Sequence, residues 1–219
     1  MNTFYKSDFA GRLAFMGKIT SNVTHELNNV FSIINEYTGM IEDKIYAAMN
    51  DSDFDVEKVL YYKEKIQNQI ERGKELNKRL NYFSHSADNT IINFELNEAL
   101  TTLALLLKRF VLMKEMNLLF VPYQKEIRLS ANLFATEHHF FIIIFCLLDF
   151  LDKNAEIVIS IQKNDNDQYQ IAINNESFSN ELLDELKSII NDRVNNYNDY
   201  IEIKLKDNKF EILLDLAYN

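Results

Sequence analysis

From about residue 8 to about residue 86, apolar side chains recur every three or four positions; beyond that stretch, helical and strand periods alternate. Leu13, Met16, Thr20, Val23, Leu27, Val30, Ile34, Tyr37, Ile41, Lys44 and Ala48 fall on alternating steps of three and four. Most are apolar, as the seam of a helical bundle requires. Ile19, Phe31, Ile33 and Ile45 widen the stripe, which suits a four-helix bundle better than a two-stranded coil. The polar run Asn50-Asp51-Ser52-Asp53 ends this helix and offers N-caps for the next. The second helix is expected from about Phe54 to Ser86, with Val56, Leu60, Ile66, Ile70, Leu76, Leu80 and Phe83 inward. A short turn between two long helices makes an antiparallel hairpin. Two helices alone leave a broad apolar face open, and a second hairpin in a homodimer would close it.

After Ala87-Asp88-Asn89-Thr90 the pattern predicts a strand near Ile91–Glu95, a helix from Asn97 to about Met113, and strands near Leu118–Val121 and Ile127–Ser130. A helix from about Thr136, its N-cap, to Asp152 follows. Then come strands Ile157–Gln162 and Tyr169–Ile173, joined by the turn Asn164-Asp165-Asn166-Asp167. A helix from Asn180 to about Val194 precedes a last hairpin, Tyr200–Lys204 and Phe210–Leu214, turned at Asp207-Asn208. The fold class is therefore α+β. A long helical hairpin leads into an α/β sandwich whose sheet is mostly antiparallel, with one face under helices and the other more polar. Two domains are expected, 8–88 and 91–219.

A net charge of −10 argues against nucleic acid and anionic membrane as partners. The lone cysteine, Cys146, lies in an apolar run, which suggests a reducing compartment. The start lacks the basic and apolar regions of a signal peptide, and the apolar stretch Phe140–Leu151 is short for a bilayer. A cytoplasmic protein is expected.

The chemistry of interest sits in Thr24-His25-Glu26-Leu27-Asn28-Asn29, inside the first helix. If Leu27 faces inward, His25 points about 200° away, toward solvent. Asn29, one turn on, shares the exposed strip, and Glu26 flanks both. A neutral imidazole is a nucleophile near neutral pH. A carboxylate beside it can hold the other ring nitrogen's proton. Phosphoryl transfer needs little beyond in-line placement and charge neutralisation, and a partner can bring the metal. An amide one turn away could orient a water toward a partner's acyl phosphate.

On these residues the chain resembles the sensor histidine kinases. Residues about 11–86 look like that family's dimerisation and histidine-phosphotransfer domain. The family's H-E-x-x-N box reads here as His25-Glu26-Leu27-Asn28-Asn29, and the second helix closes on the similar Leu76-Asn77-Lys78-Arg79-Leu80-Asn81-Tyr82-Phe83-Ser84. Residues about 91–219 follow the element order of the family's catalytic ATP-binding domain. The resemblance implies that His25 is the phosphoacceptor, Glu26 its base or orienter, and Asn29 the residue supporting phosphatase action or transfer.

The family's ATP site also needs an Asn-rich helix for magnesium and two glycine turns where backbone approaches the nucleotide. No glycine follows Gly73. The helix in question reads Phe145-Cys146-Leu147-Leu148-Asp149-Phe150-Leu151-Asp152, with Cys146 and Phe150 about where amides are wanted. Asn154-Ala155 falls at the helix end, before a strand. The turn Asn174-Asn175-Glu176-Ser177-Phe178-Ser179 has no glycine, and one short helix leads from there to the last hairpin, with no room for a lid. The second domain thus reads as degenerate, as in kinase-derived histidine phosphotransferases. The expected function is exchange of a phosphoryl group between His25 and the Asp of a response-regulator receiver domain, which supplies Mg²⁺, without ATP. Three alternatives stay open: an ATP-dependent kinase with a divergent site, a receiver phosphatase relying on Asn29, and a non-catalytic receiver-binding scaffold.

Other residues receive plainer readings. His138-His139 is expected at a solvent-facing helix start rather than on a metal, and His85 at the surface near a helix end. Cys146, Phe140, Phe141, Phe145 and Phe150 are expected in the core. Asp192-Arg193 and Asn195-Asn196 read as a solvated helix end and loop. Lys18, Asn22, Asn28 and Ser32 lie near His25 and could meet a docking partner.

Overall fold

In the computed structural model the two helical periods become α1, Asp8–Met49, and α2, Val56–Ser86. The structure describes residues 8–50, 54–88, 91–163, 169–175, 201–206 and 209–215. The expected turns at 164–167 and 207–208, the helix at 180–194 and the runs at 192–196 lie outside them, as do 51–53 and 176–179.

Residues 18–81 form one compact unit, a helical hairpin. Its cross-helix contacts run Glu26 to Arg72, Val30 to Gly73 and Tyr37 to Tyr62, so the two helices are antiparallel, as the short turn requires. Asp55 starts α2: its Oδ1 accepts from the Lys58 N–H at 3.0 Å, a capping bond placed later than the expected polar run. Val56, Leu60 and Ile70, expected inward, are exposed in the single chain, as are Leu13, Phe31 and Ile45. Near the start of α1 the buried residues are Phe15, Ile19, Asn22 and Val23, of which Ile19 and Val23 lie on the expected stripe.

The second unit takes residues up to 17 and from 82 onward. Strand β1 (Ile92–Glu95) pairs antiparallel with β3 (Arg128–Ala131). Between them lie α3 (Leu96–Met113) and β2 (Asn117–Val121). Then follow α4 (Leu133–Phe150), β4 (Glu156–Lys163), β5 (Tyr169–Asn175), β6 (Ile201–Lys206) and β7 (Lys209–Asp215). The larger sheet has the order β2-β4-β5-β7-β6, with only β2 and β4 parallel. Ile157, Ile159 and Ile161 on β4 and Ile171 and Ile173 on β5 are buried and in register on one face, as the period of two demands. Helix α3 packs on β2 and on α4, where Phe110 meets Phe145 at 5.0 Å.

Glu95 organises the small sheet. Its carboxylate caps α3 by accepting from the Asn97 and Glu98 N–H groups at 3.1 and 2.7 Å, and it also accepts from Ile127 N–H at 3.1 Å. Helix α4 begins earlier than expected. Its N-cap is Asn132, whose Oδ1 accepts from Ala135 N–H at 2.9 Å; Thr136 is already helical and turns its hydroxyl back on the Asn132 carbonyl. By length and composition α4 could cross a membrane, yet it is mostly buried within this unit, which makes it a core helix.

The early start moves His138 and His139 into the second turn of α4. There both are buried, at 2% and 3% exposure, rather than facing solvent. The His138 ring packs against Phe15 and Phe134, with centroids at 5.4 and 6.5 Å. Cys146, Phe140 and Phe141 are buried, and Phe145 and Phe150 half-buried. His85 is exposed at the end of α2, its Nδ1 2.6 Å from Asp88 Oδ2.

Candidate functional site

The strip around His25 is built by helix period alone. Val23 and Val30 are buried and Leu27 half-buried, so His25 and Asn29 fall on the opposite side, and both are exposed. Among the described residues no group hydrogen-bonds the His25 imidazole. Thr24 and Ser32 turn their hydroxyls back onto the carbonyls of Thr20 and Asn28, each at 2.9 Å. The two ring nitrogens of His25 and the Asn29 amide are thus among the polar groups this strip offers outward.

Glu26 behaves differently from its neighbour. It is half-buried, and its carboxylate accepts from the guanidinium of Arg72 on α2. The base expected beside His25 is thus turned across the hairpin and paired with a cation. Gly73 lies against α1 here: a Cβ there would come into ordinary contact with Val30 Cγ1 at 3.4 Å and Leu27 Cδ2 at 3.9 Å. Arg72 and Gly73 are the site residues that the sequence reading passed over. Counting equal steps outward from Met49 and Val56 reaches Arg79, which pairs with Glu75, so helix length alone does not point to Arg72.

Of the proposed docking residues, Asn28 and Ser32 are exposed and Lys18 half-buried, but Asn22 is 5% exposed and belongs to the interior.

No family model matches the chain, and neither does any curated protein. Solved structures do. Histidine kinase ThkA in complex with response regulator protein TrrA aligns over 99% of this chain and 67% of its own, at 14% identity and TM-score 0.46. The nucleotide-free catalytic domain of ThkA aligns over 57% of this chain and 94% of its own, at 14% identity and TM-score 0.46. A bacterial phosphotransferase aligns over 93% of this chain and 96% of its own, at 8% identity and TM-score 0.49. The likeness is to histidine kinases. Identity this low says nothing of which residues act.

By the resemblance read from the sequence, α4 is the helix expected to present amides to a magnesium-bound nucleotide. It contains neither Asn nor Gln. Cys146 is buried, and Asp149, exposed, pairs with Lys114 at 3.2 Å. Asn154 lies past the helix, in the turn before β4, with φ of 66° and its N–H donated to the Glu115 carbonyl at 2.7 Å. The described residues of α4 and this turn therefore do not fit a magnesium–triphosphate group. Among the described residues no cluster of His, Cys, Asp and Glu could hold a metal ion.

Elsewhere in the second unit, burial pushes the Glu137 carboxyl up to about 8, against a weaker downward pull from its hydrogen bond with Ser86.

Proposed function

We propose that this is a two-component signalling protein in which His25 exchanges a phosphoryl group with the aspartate of a response-regulator receiver domain. The observation that carries the reading is the exposed imidazole of His25 on the solvent strip of an unbroken 42-residue helix, with Asn29 one turn away. A receiver can reach such a group without rearrangement of the hairpin. In the forward step an imidazole nitrogen forms a bond to phosphorus as the acyl O–P bond of the receiver's aspartyl phosphate breaks. The aspartate leaves as a carboxylate. The reverse step returns the group. Mg²⁺ held by the receiver neutralises the transferring oxygens.

Two hairpins meeting through Phe31, Ile45, Leu60 and Ile70 would bury the apolar positions the single chain leaves exposed, so the working form is a homodimeric four-helix bundle. The chain is proposed to act without ATP. What supports this is α4, which has no amide to offer magnesium, and a sequence with no glycine after Gly73.

Mixing the chain with a radiolabelled, phosphorylated receiver tests the proposal. The label should pass to the wild-type chain and not to His25→Ala. Asn29→Ala separates transfer from a receiver-phosphatase role, which the exposure of Asn29 beside His25 favours as a second reading. Loss of receiver dephosphorylation in that variant, with labelling of His25 intact, would assign Asn29 to the phosphatase step.

A further inference from the structure

Ser86, the last residue of α2, and Glu137, in the second turn of α4, are 1% and 2% exposed. Both belong to the α/β unit. The Ser86 Oγ lies 2.6 Å from Glu137 Oε2 and 2.8 Å from the Phe83 carbonyl oxygen. A hydroxyl has one proton to donate, and an ionised Glu137 would leave two acceptors competing for it. A neutral carboxylic acid resolves the conflict. It donates to Ser86 Oγ, and Ser86 donates onward to Phe83. The other carboxyl oxygen, Oε1, is buried with no hydrogen-bond partner among the described residues, a position far costlier for a carboxylate than for an acid's carbonyl.

The surroundings favour the neutral form. One helical turn either side of Glu137 stand Leu133, Phe134, Phe140 and Phe141, all buried. From α2, Phe83 is fully buried and its ring lies 6.1 Å from that of Phe134. Charged or titratable groups on the elements meeting here include His138 and His139 on α4, Tyr82, His85 and Arg79 on α2, and Arg12 on α1. His85 is exposed and bonded to Asp88, and Arg79 is paired with Glu75. None of these forms an ion pair with Glu137 among the described residues, where only burial and Ser86 act on its carboxyl.

We propose that Glu137 and Ser86 form a pH-sensitive clasp: the protonated acid fastens the last turn of α2 to α4, and its ionisation releases that turn. The released turn belongs to the same unbroken helix that carries Arg72 and Gly73. Burial pushes the carboxyl up to about 8, so the clasp is closed in acid and loosens toward mildly alkaline pH. This device does not depend on His25 accepting a phosphoryl group.

Carboxyl ¹³C NMR of the full chain, titrated with pH, tests it. The Glu137 resonance is assigned by its loss in Glu137→Gln or, if that variant does not fold, by its displacement in Ser86→Ala. The carboxyl should titrate above pH 7, apart from the exposed glutamates. Amide protons of residues 83–88 should exchange faster as pH rises, relative to Glu137→Gln or Ser86→Ala at the same pH. The excess should grow about tenfold per pH unit until the carboxyl has titrated and then level off. A Glu137 resonance moving with the exposed glutamates, or exchange whose pH dependence matches the variant's, would overturn the clasp.

Discussion

The guanidinium of Arg72 holds the carboxylate of Glu26, the residue next to His25. With the two side chains 46% and 19% exposed, the pair contributes no more than about 1 kcal/mol to stability. Its larger effect is on charge. A phosphoryl group arriving at His25 brings negative charge beside Glu26, and Arg72 offsets the carboxylate there. Arg72→Ala should therefore slow transfer from a phosphorylated receiver severalfold while costing under about 1 kcal/mol in denaturant melts. Arg72→Ala combined with Glu26→Gln should recover most of the rate. Equal slowing in the double variant would mean that Arg72 acts otherwise.

Burial separates two nearby residues of α1. Phe15 is fully buried, with its ring centroid 5.0 Å from Phe83, 4.6 Å from Phe141 and 5.6 Å from Phe134. Phe15→Ala should cost about 3–5 kcal/mol by urea unfolding. Leu13, 63% exposed in the single chain, should cost far less than Phe15 on the same change.

Helical glycines give a graded series. A Cβ at Gly39 would meet nothing within 4 Å, so Gly39→Ala should stabilise by about 0.5–1 kcal/mol through helix propensity. At Gly73 the new methyl would stand 3.4 Å from Val30 Cγ1, at the tight edge of ordinary contact, so Gly73→Ala should gain less than Gly39→Ala. Thermal denaturation of the two variants beside wild type checks the order.

The two helices, the first strands and the antiparallel character of the sheet were legible because their apolar periods are regular. The helix α1 ends at Met49, immediately before the polar run that was expected to stop it. Helix α4 was harder. It is apolar nearly all round, so no polar face tells which way His138 and His139 point, and Asn132 was overlooked as its cap. The exposure of His25 followed from the position of Leu27 alone. The engagement of Glu26 did not, because a carboxylate on the border of a helix face can turn either way, and Arg72 on another helix decides.

Stability should also follow pH through Glu137. Its carboxyl stands near 8 in the fold against 4.5 ordinarily, so over that interval the folded state keeps a proton the unfolded state has lost. The contribution is fully present below about pH 4.5, declines at up to about 1.4 kcal/mol per pH unit, and is gone above about pH 8. Denaturant midpoints across this range should fall more steeply for wild type than for Glu137→Gln.

Homodimer formation should yield to a charge on the open hairpin face. Leu60 is 59% exposed in the single chain, so Leu60→Asp should keep its helical signal. Its dimer should dissociate at least about tenfold more readily in sedimentation experiments, because the carboxylate would be buried against its copy.

Mapping the phosphorylated residue tests the central claim most directly. The chain is mixed with a phosphorylated receiver and Mg²⁺, kept at neutral to alkaline pH to preserve phosphoramidate, and sequenced by mass spectrometry. We expect a single phosphoryl group, on His25. A phosphoryl group on any other side chain, or none on a chain that still binds the receiver, would contradict the account.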